Sequence, residues 1–323
     1  MNAMIYTRYG LPDQLSLATL EQPVPTDDQL LVRVHAAAVN AGDWHLLTGT
    51  PWPVRAAYGF WKPKHTVLGS DVAGRVEAMG KNVTQFQIGD EVFGDLSSHG
   101  FGGFAEVVCA DARAFVHKPS QLSFEEASAA PSAAVTALQG LRDIGKLQAG
   151  QRVLINGASG GVGTFALQIA KALGAEVTAV CSTKKMEMAR SLGADQVIDY
   201  TQTDVMNSAQ RYELILDVAA YRSFLGYRRL LKPSGRYVIV GGSMMRVLQV
   251  ALQGAALNQF GSRRFLNVLV KPNGADLLVI KALLETGKIK SIVERCYPLL
   301  ELPEALGYLG AGHARGKLVI KLR

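Results

Sequence analysis

The spacing of apolar and polar positions changes character along this chain. In the middle, short β-branched apolar runs recur: Arg152–Asn156, Glu176–Cys181, Gln196–Asp199, Leu214–Asp217 and Tyr237–Val240. Polar or helical text separates them. The stretch Phe165–Leu173 carries apolar residues at helical spacing and stops at Gly174. Strand and helix in alternation predict a parallel sheet covered by helices. The first third reads differently. Gln29–His35, Ser70–Glu77 and Ala105–Cys109 look like short strands, broken by Gly69, Gly74, Gly80, Gly89, Gly94, Gly100, Gly102 and Gly103. That texture predicts a small antiparallel barrel.

Pro119 to Phe124 marks the expected boundary, and a helical stretch follows from Phe124 to Leu138. The tail Gly316–Leu322 is again strand-like and is expected to return to the barrel. The expected domains are thus 1–121 with 285–323, and 122–284. Two apolar stretches close the second domain, Val247–Leu252 and the strand-like Phe265–Val270. An edge strand there needs covering, so a two-fold dimer is expected.

The loop Gly157-Ala-Ser-Gly160-Gly161-Val162-Gly163 lies between the Arg152–Asn156 strand and the helix after it. Strand, glycine loop and helix in this order form the unit that cradles a dinucleotide pyrophosphate. Glycine lets the backbone approach the phosphates, and the helix start offers free N–H groups. The same residues match G-x-S-x-G, with Ser159 as nucleophile and Asp217 and His313 following in the order of a hydrolase triad. The end of the second strand favours the dinucleotide and selects its type. An NAD-type site wants an acid there. Here the text is Cys181-Ser182-Thr183-Lys184-Lys185, with no carboxylate before Glu187. Hydroxyls and ammonium groups suit a 2′-phosphate, so NADP(H) is the expected cofactor.

Composition narrows the remaining classes. The chain has 323 residues, 48% hydrophobic and 19% charged, enough for two domains with proper cores. No run of apolar residues is long enough for a spanning helix, so no membrane partner is expected. The N-terminus lacks the pattern of a signal peptide. Three widely spaced cysteines suggest reduced thiols and a cytoplasmic location. The net charge of +7 raises nucleic-acid binding. The basic residues are spread along the chain, which instead fits a solvated surface that attracts an anionic cofactor.

Longer motifs carry a resemblance. They include Val39-Asn40-Ala-Gly-Asp43-Trp44, Leu68-Gly-Ser70-Asp71-Val-Ala-Gly74, Gly89-Asp90-Glu-Val-Phe-Gly94, Gly102-Gly-Phe-Ala-Glu106 and Ala133-Ala-Val-Thr136. Leu192-Gly-Ala-Asp195, Val197-Ile-Asp-Tyr200 and His313-Ala-Arg-Gly316-Lys317 continue the match. The chain resembles the medium-chain dehydrogenase/reductase superfamily, in particular its zinc-free quinone oxidoreductase branch. The resemblance implies an α/β fold: a Rossmann doubly wound parallel sheet plus a GroES-like antiparallel β-barrel domain, with the active site in the cleft joining them. Zinc-bearing members place a cysteine after the third strand and a histidine at the later turn. This chain has Asn40–Asp43 and Gly69-Ser70-Asp71 there, and only Cys109 where four structural cysteines would stand.

The resemblance also implies roles. Asn40 and Thr136 would lie beside the nicotinamide, and Ser159, Gly160, Gly161 and Val162 at the pyrophosphate. Ser182, Lys184, Lys185 and Tyr200 would surround the 2′-phosphate, and Gly241, Gly242 and Ser243 the nicotinamide amide. Phe265 and Lys317 are further cofactor candidates. His45 replaces the tyrosine common in relatives and is a candidate proton donor; it equally fits a polar rim. Without a Lewis acid, hydride delivery to a quinone or α,β-unsaturated carbonyl is the easier chemistry. Trp52, Tyr58, Phe60 and Trp61 either wall an apolar substrate pocket or pack a loop on the barrel. The alternatives to this reductase are the serine hydrolase and a non-enzymatic NADPH-sensing or nucleic-acid-binding protein.

Overall fold

The computed structural model describes residues 1–312 and 314–322, in which fifteen strands occur. In chain order they are β1 (Asn2–Ile5), β2 (Ser16–Thr19), β3 (Gln29–Val39), β4 (Asp71–Met79), β5 (Glu91–Asp95), β6 (Val107–Asp111) and β7 (Phe115–His117). Then follow β8 (Arg152–Asn156), β9 (Glu176–Cys181), β10 (Gln196–Asp199), β11 (Tyr212–Asp217), β12 (Leu231–Ile239), β13 (Arg264–Asn267), β14 (Val293–Pro298) and β15 (Lys317–Lys321). The chain divides into two compact units. The first comprises residues 1–132, 272–286 and 290–323, and the second 133–271 and 287–289.

The first unit is built on the sheet β14-β15-β3-β4-β5-β7, with β6 also pairing β3. All of its pairs are antiparallel except β14 with β15. The tail does return to the barrel: Leu318 stands opposite Val39 and Ile320 opposite Ala37. Strand alternation sorts its side chains. Leu318 and Ile320 join the main core with Val32, Val72, Phe104 and Tyr297. Val319 points the other way, onto Ala36, Ala38 and Ala129.

That second face explains why residues 122–132 group with the barrel and not, as expected, with the nucleotide unit. The helix Phe124–Ser128 starts at a capping box of Ser123 and Glu126. It lays Phe124 against His35, ring centroids 4.2 Å apart, and Glu125 against Lys321, 2.8 Å away. Residues 272–284 likewise join the barrel, because the helix Gly274–Glu285 packs beside β7.

The second unit is a six-stranded parallel sheet in the order β10-β9-β8-β11-β12-β13. Strand order reverses between β8 and β11, the point at which doubly wound sheets leave a crevice for ligands. The helix Gly161–Ala172 opens directly after the loop that leaves β8. The Val247–Leu252 stretch is helical rather than extended. β13 does stand at the sheet's edge, but its outer side is partly closed: the Asn258 amide accepts from the Phe265 N–H at 2.8 Å and donates to its carbonyl at 3.0 Å.

Phe265 corrects an expectation. It is 3% exposed and packs among Phe224, Tyr237, Val250 and Ile239, with the Phe224 ring 5.0 Å away. An aromatic residue on a strand between two covered faces is a core residue, so its side chain is not available to a cofactor. Phe265→Ala should cost about 3–5 kcal/mol of stability, read from urea unfolding. A loss below about 1 kcal/mol would return Phe265 to the list of ligand contacts.

Candidate active site

In the first unit, four strand ends meet at one level. Ala38 pairs Asp71, Asp71 pairs Asp95, and Val39 pairs Leu318. The residues at these ends therefore converge: Asn40 after β3, Asp71 at the start of β4, Asp95 at the end of β5 and Lys317 at the start of β15. The Lys317 ammonium, 3% exposed, donates to the Asn40 side-chain oxygen and lies 3.4 Å from the Asp71 carboxylate. Asn40 Nδ2 donates to Asp71 at 3.0 Å and to Ser70 Oγ at 3.1 Å. The other Asp71 oxygen accepts from the Ser132 N–H at 3.0 Å, and Ser132 Oγ lies 2.9 Å from Asp95. Nearby, Asp43 accepts from the backbone N–H of Asn40 at 2.8 Å and of Gly69 at 3.1 Å.

The electrostatics follow from burial. Asp43, Asp71 and Asp95 are all buried, and Lys317 is the ammonium among them. Burial raises Asp71 against the pull of Lys317 and the bonds from Ser132 and Asn40. Burial pushes Asp43 up to about 7, although two N–H bonds favour its charged form. Two of the candidate site residues, Asn40 and Lys317, are thus brought together. Asp95 and Ser132 went unnoticed in the sequence, because no local signal ties them to Asn40.

This donor set does not suit zinc. It offers carboxylates, an amide, hydroxyls and a resident ammonium, where zinc wants thiolate or imidazole in a tetrahedral group. Among the described residues, no group of three or more His, Cys, Asp or Glu is placed to hold a metal. Cys109 is a lone thiol, pushed up to about 11 by burial. His45 is exposed, and its Nδ1 lies 2.7 Å from the Thr50 carbonyl. Since a carbonyl only accepts, Nδ1 carries the proton. Nε2 then donates only in the imidazolium form.

In the second unit, the glycine loop has the shape a phosphate needs. Gly157 has φ +80°, a conformation that favours glycine, and a side chain there would meet Ala219. At Gly163 a Cβ would stand 2.1 Å from the Gly157 carbonyl, so loop and helix pack too closely for any side chain. Gly160 is the N-cap and supplies no side-chain acceptor, leaving the helix start of Gly161 and Val162 for an anion. Ser159 is buried in this loop. The hydrolase reading fails on the acid. Asp217 is fully buried and already accepts from Asn156 at 2.7 Å and Tyr237 at 2.5 Å. His313 lies outside the described residues.

The end of β9 gathers the other nucleotide candidates. Asp199 pairs Cys181, and the Tyr200 N–H donates to the Cys181 carbonyl at 3.1 Å. Ser182, exposed Lys184, Lys185 and exposed Tyr200 therefore share one strand end. So does Asp199, an acid the linear text does not place there. Its carboxylate is occupied by the hydroxyls of Thr183 and Thr201, which hold it below the usual carboxylate range. Gly241, Gly242 and Ser243 stand at the end of β12, tied to Ala220 by bonds of 3.1 Å from the Ala220 N–H to Gly241 and from the Ser243 N–H to Ala220. Thr136 is half-buried on the helix Pro131–Leu138.

The raised Asp43 has a testable sign. Its native form holds a proton to higher pH than the unfolded chain does. The stability it contributes is complete below its ordinary value near 3.8 and is lost as pH rises through about 7. Between pH 4 and 7 the melting temperature of the unaltered protein should therefore fall relative to that of Asp43→Asn. Parallel curves across that window would show that Asp43 titrates normally.

Comparisons with known proteins agree with this architecture. A family model for the alcohol dehydrogenase GroES-like domain matches residues 26–120, and one for zinc-binding dehydrogenase matches 192–320. The chain is 33% identical to the mitochondrial NAD(P)H oxidoreductase RTN4IP1 of Mus musculus, covering all of this chain and 89% of that one. It is 34% identical to the 2-methylene-furan-3-one reductase of Solanum lycopersicum, covering 99% and 79%. The solved quinone oxidoreductase from Coxiella burnetii superposes with a TM-score of 0.88 at 30% identity, covering 100% of this chain and 99% of that one. The fold, the glycine loop and these relatives together identify the chain as a member of the medium-chain dehydrogenase/reductase superfamily, in its quinone oxidoreductase-like branch, and as an oxidoreductase of the NAD(P)H class.

Proposed function

We propose that this protein is a zinc-independent, NADPH-dependent reductase of quinones or α,β-unsaturated carbonyls. The observations that support the reading are a pair of donor sets: a glycine loop that leaves a helix start uncapped by any side chain in the second unit, and a metal-unsuited, ammonium-filled strand junction in the first. Two relatives named for quinone and furanone reduction support the acceptor class.

Bound NADPH supplies a hydride. Gly160, Gly161 and Val162, with Ser159, hold its pyrophosphate, and Ser182, Lys184, Lys185 and Tyr200 its 2′-phosphate. Gly241, Gly242, Ser243 and Thr136 serve the nicotinamide end. Asn40 acts as a positioning residue, since both ends of its amide are already engaged by Lys317, Ser70 and Asp71. Lys317 acts through it. His45, as imidazolium, gives a proton to the reduced acceptor. The three cysteines are free, which suits a reducing compartment such as the cytoplasm.

Activity tests the reading. NADPH oxidation should be seen with a panel of quinones, enones and enals, and should persist in a strong chelator. NADPH should bind about ten-fold more tightly than NADH, and Lys185→Glu should remove that preference. Equal affinities in the unaltered protein sink the cofactor assignment, and loss of turnover with chelator sinks zinc independence.

The second unit also suits a two-fold dimer. Phe260 is 89% exposed and Leu269 79% exposed, on either side of the edge strand β13. Burying such surface against a second copy is favourable. Light scattering at micromolar concentration should give twice the chain mass, and Leu269→Glu should give the monomer. A monomer before mutation refutes the assembly.

A further inference from the structure

The segment 50–64 of the first unit, which includes the short helix Pro53–Tyr58, projects aromatic side chains that the fold does not use. Trp52 is 71% exposed, Phe60 56% and Trp61 89%. This is not looseness of the segment, because its backbone is anchored at several points. The Tyr9 hydroxyl donates to the Gly59 carbonyl at 2.5 Å, and the Lys64 N–H to the Tyr58 carbonyl at 2.9 Å. Tyr58 turns inward, edge-on to Phe101 at 5.9 Å, and Pro63 is buried. Phe60 and Trp61 meet edge-to-face at 4.9 Å on the outside. Tyr58 thus packs on the barrel core, whereas Trp52, Phe60 and Trp61 face solvent.

Charge selects what the loop meets. No Asp or Glu occurs between Asp43 and Asp71, and both of those are buried. Lys62 and Lys64, which follow Trp61 in the sequence, are exposed. Arg55 is turned in, over the Tyr9 ring at 4.7 Å. Trp and Phe flanked by lysines, without carboxylates, match the interface of an anionic bilayer: rings at headgroup depth, ammonium groups on phosphates. A second copy is a poor occupant, because a two-fold contact would set these lysines against one another.

We infer that Trp52, Phe60, Trp61, Lys62 and Lys64 form a docking surface for an anionic lipid bilayer. The protein rests on the membrane without crossing it: among the described residues no helix is long and apolar enough to span. This departs from the expectation of no membrane contact, which rested on spanning segments alone. The surface does not depend on the reductase reading.

The test uses the full chain and extruded vesicles of phosphatidylcholine, with or without about one-third phosphatidylglycerol. The protein should sediment with the anionic vesicles, release at high salt, and show blue-shifted tryptophan emission when bound. Trp52→Ser with Trp61→Ser should weaken binding roughly ten-fold or more. Lys62→Gln and Lys64→Gln should each weaken it about five-fold, with melting temperatures unchanged in all variants. No binding to anionic vesicles overturns the inference. So does binding that the tryptophan changes leave intact, which would mark a diffuse basic surface. Binding of polyuridine RNA or an acidic protein through the same tryptophans, without vesicle binding, also overturns it. A rise in KM for a soluble quinone with vesicle binding intact in the tryptophan variant would make the loop a substrate wall instead.

Discussion

The first unit depends on burying the Lys317 ammonium. Removing such an ion from water costs several kcal/mol unless its donors are matched. Here the match comes from Asn40 and Asp71, which are placed by strand register rather than by local sequence. The register of β15 on β3 therefore does two things at once. It alternates Leu318 and Ile320 into the core, and it sets Lys317 beside the ends of β3, β4 and β5. A slip by one residue would expose the apolar pair and leave the buried Asp71 carboxylate without its ammonium. Packing and charge enforce the same register.

The second unit meets its own constraint through backbone alone. The close contact of Gly163 with the Gly157 carbonyl brings helix start and strand end together. Asn156 then bonds Asp217 across the switch point, fixing the ends of β8 and β11. The buried carboxylate is thereby spent on the scaffold. That is why a G-x-S-x-G spelling here does not make a nucleophile elbow: the acid a triad needs is locked into the sheet by Asn156 and Tyr237.

How much of this the sequence disclosed depended on range. β8, β9 and β10 were legible to the residue, since each is a compact β-branched run with polar limits. The barrel's strands were legible as type but not in extent: β3 runs on to Val39 because its alanines pack under Phe124 and Val319. The same contact moved residues 122–132 to the barrel, and no period in the text reports it. Phe265 misled because an aromatic near the end of a nucleotide unit reads alike whether it faces a ligand or a core. Of the polar junction, Asn40 and Lys317 were legible through motif, whereas Asp95 and Ser132 arrive only through pairing across the sheet.

Asp199 shows why cofactor choice is a matter of pairing as well as of spelling. The text after β9 holds no acid, yet β10 delivers one alongside, because the two strands end together. Left open, that carboxylate would repel a 2′-phosphate and invite ribose hydroxyls. Thr183 and Thr201 donate to it instead, and the Thr201 N–H adds a third bond at 2.9 Å. Its two oxygens are thus occupied from the turns after β9 and β10, while Lys184 stays exposed at the end of β9. The anionic group is absorbed by short-range hydroxyl donors, and in the NADPH reading proposed above the longer ammonium side chains would set the potential that an incoming phosphate meets. Replacing either threonine by a residue without a donor would free the carboxylate, so under the NADPH assignment proposed above the hydroxyls would favour a 2′-phosphate without touching it.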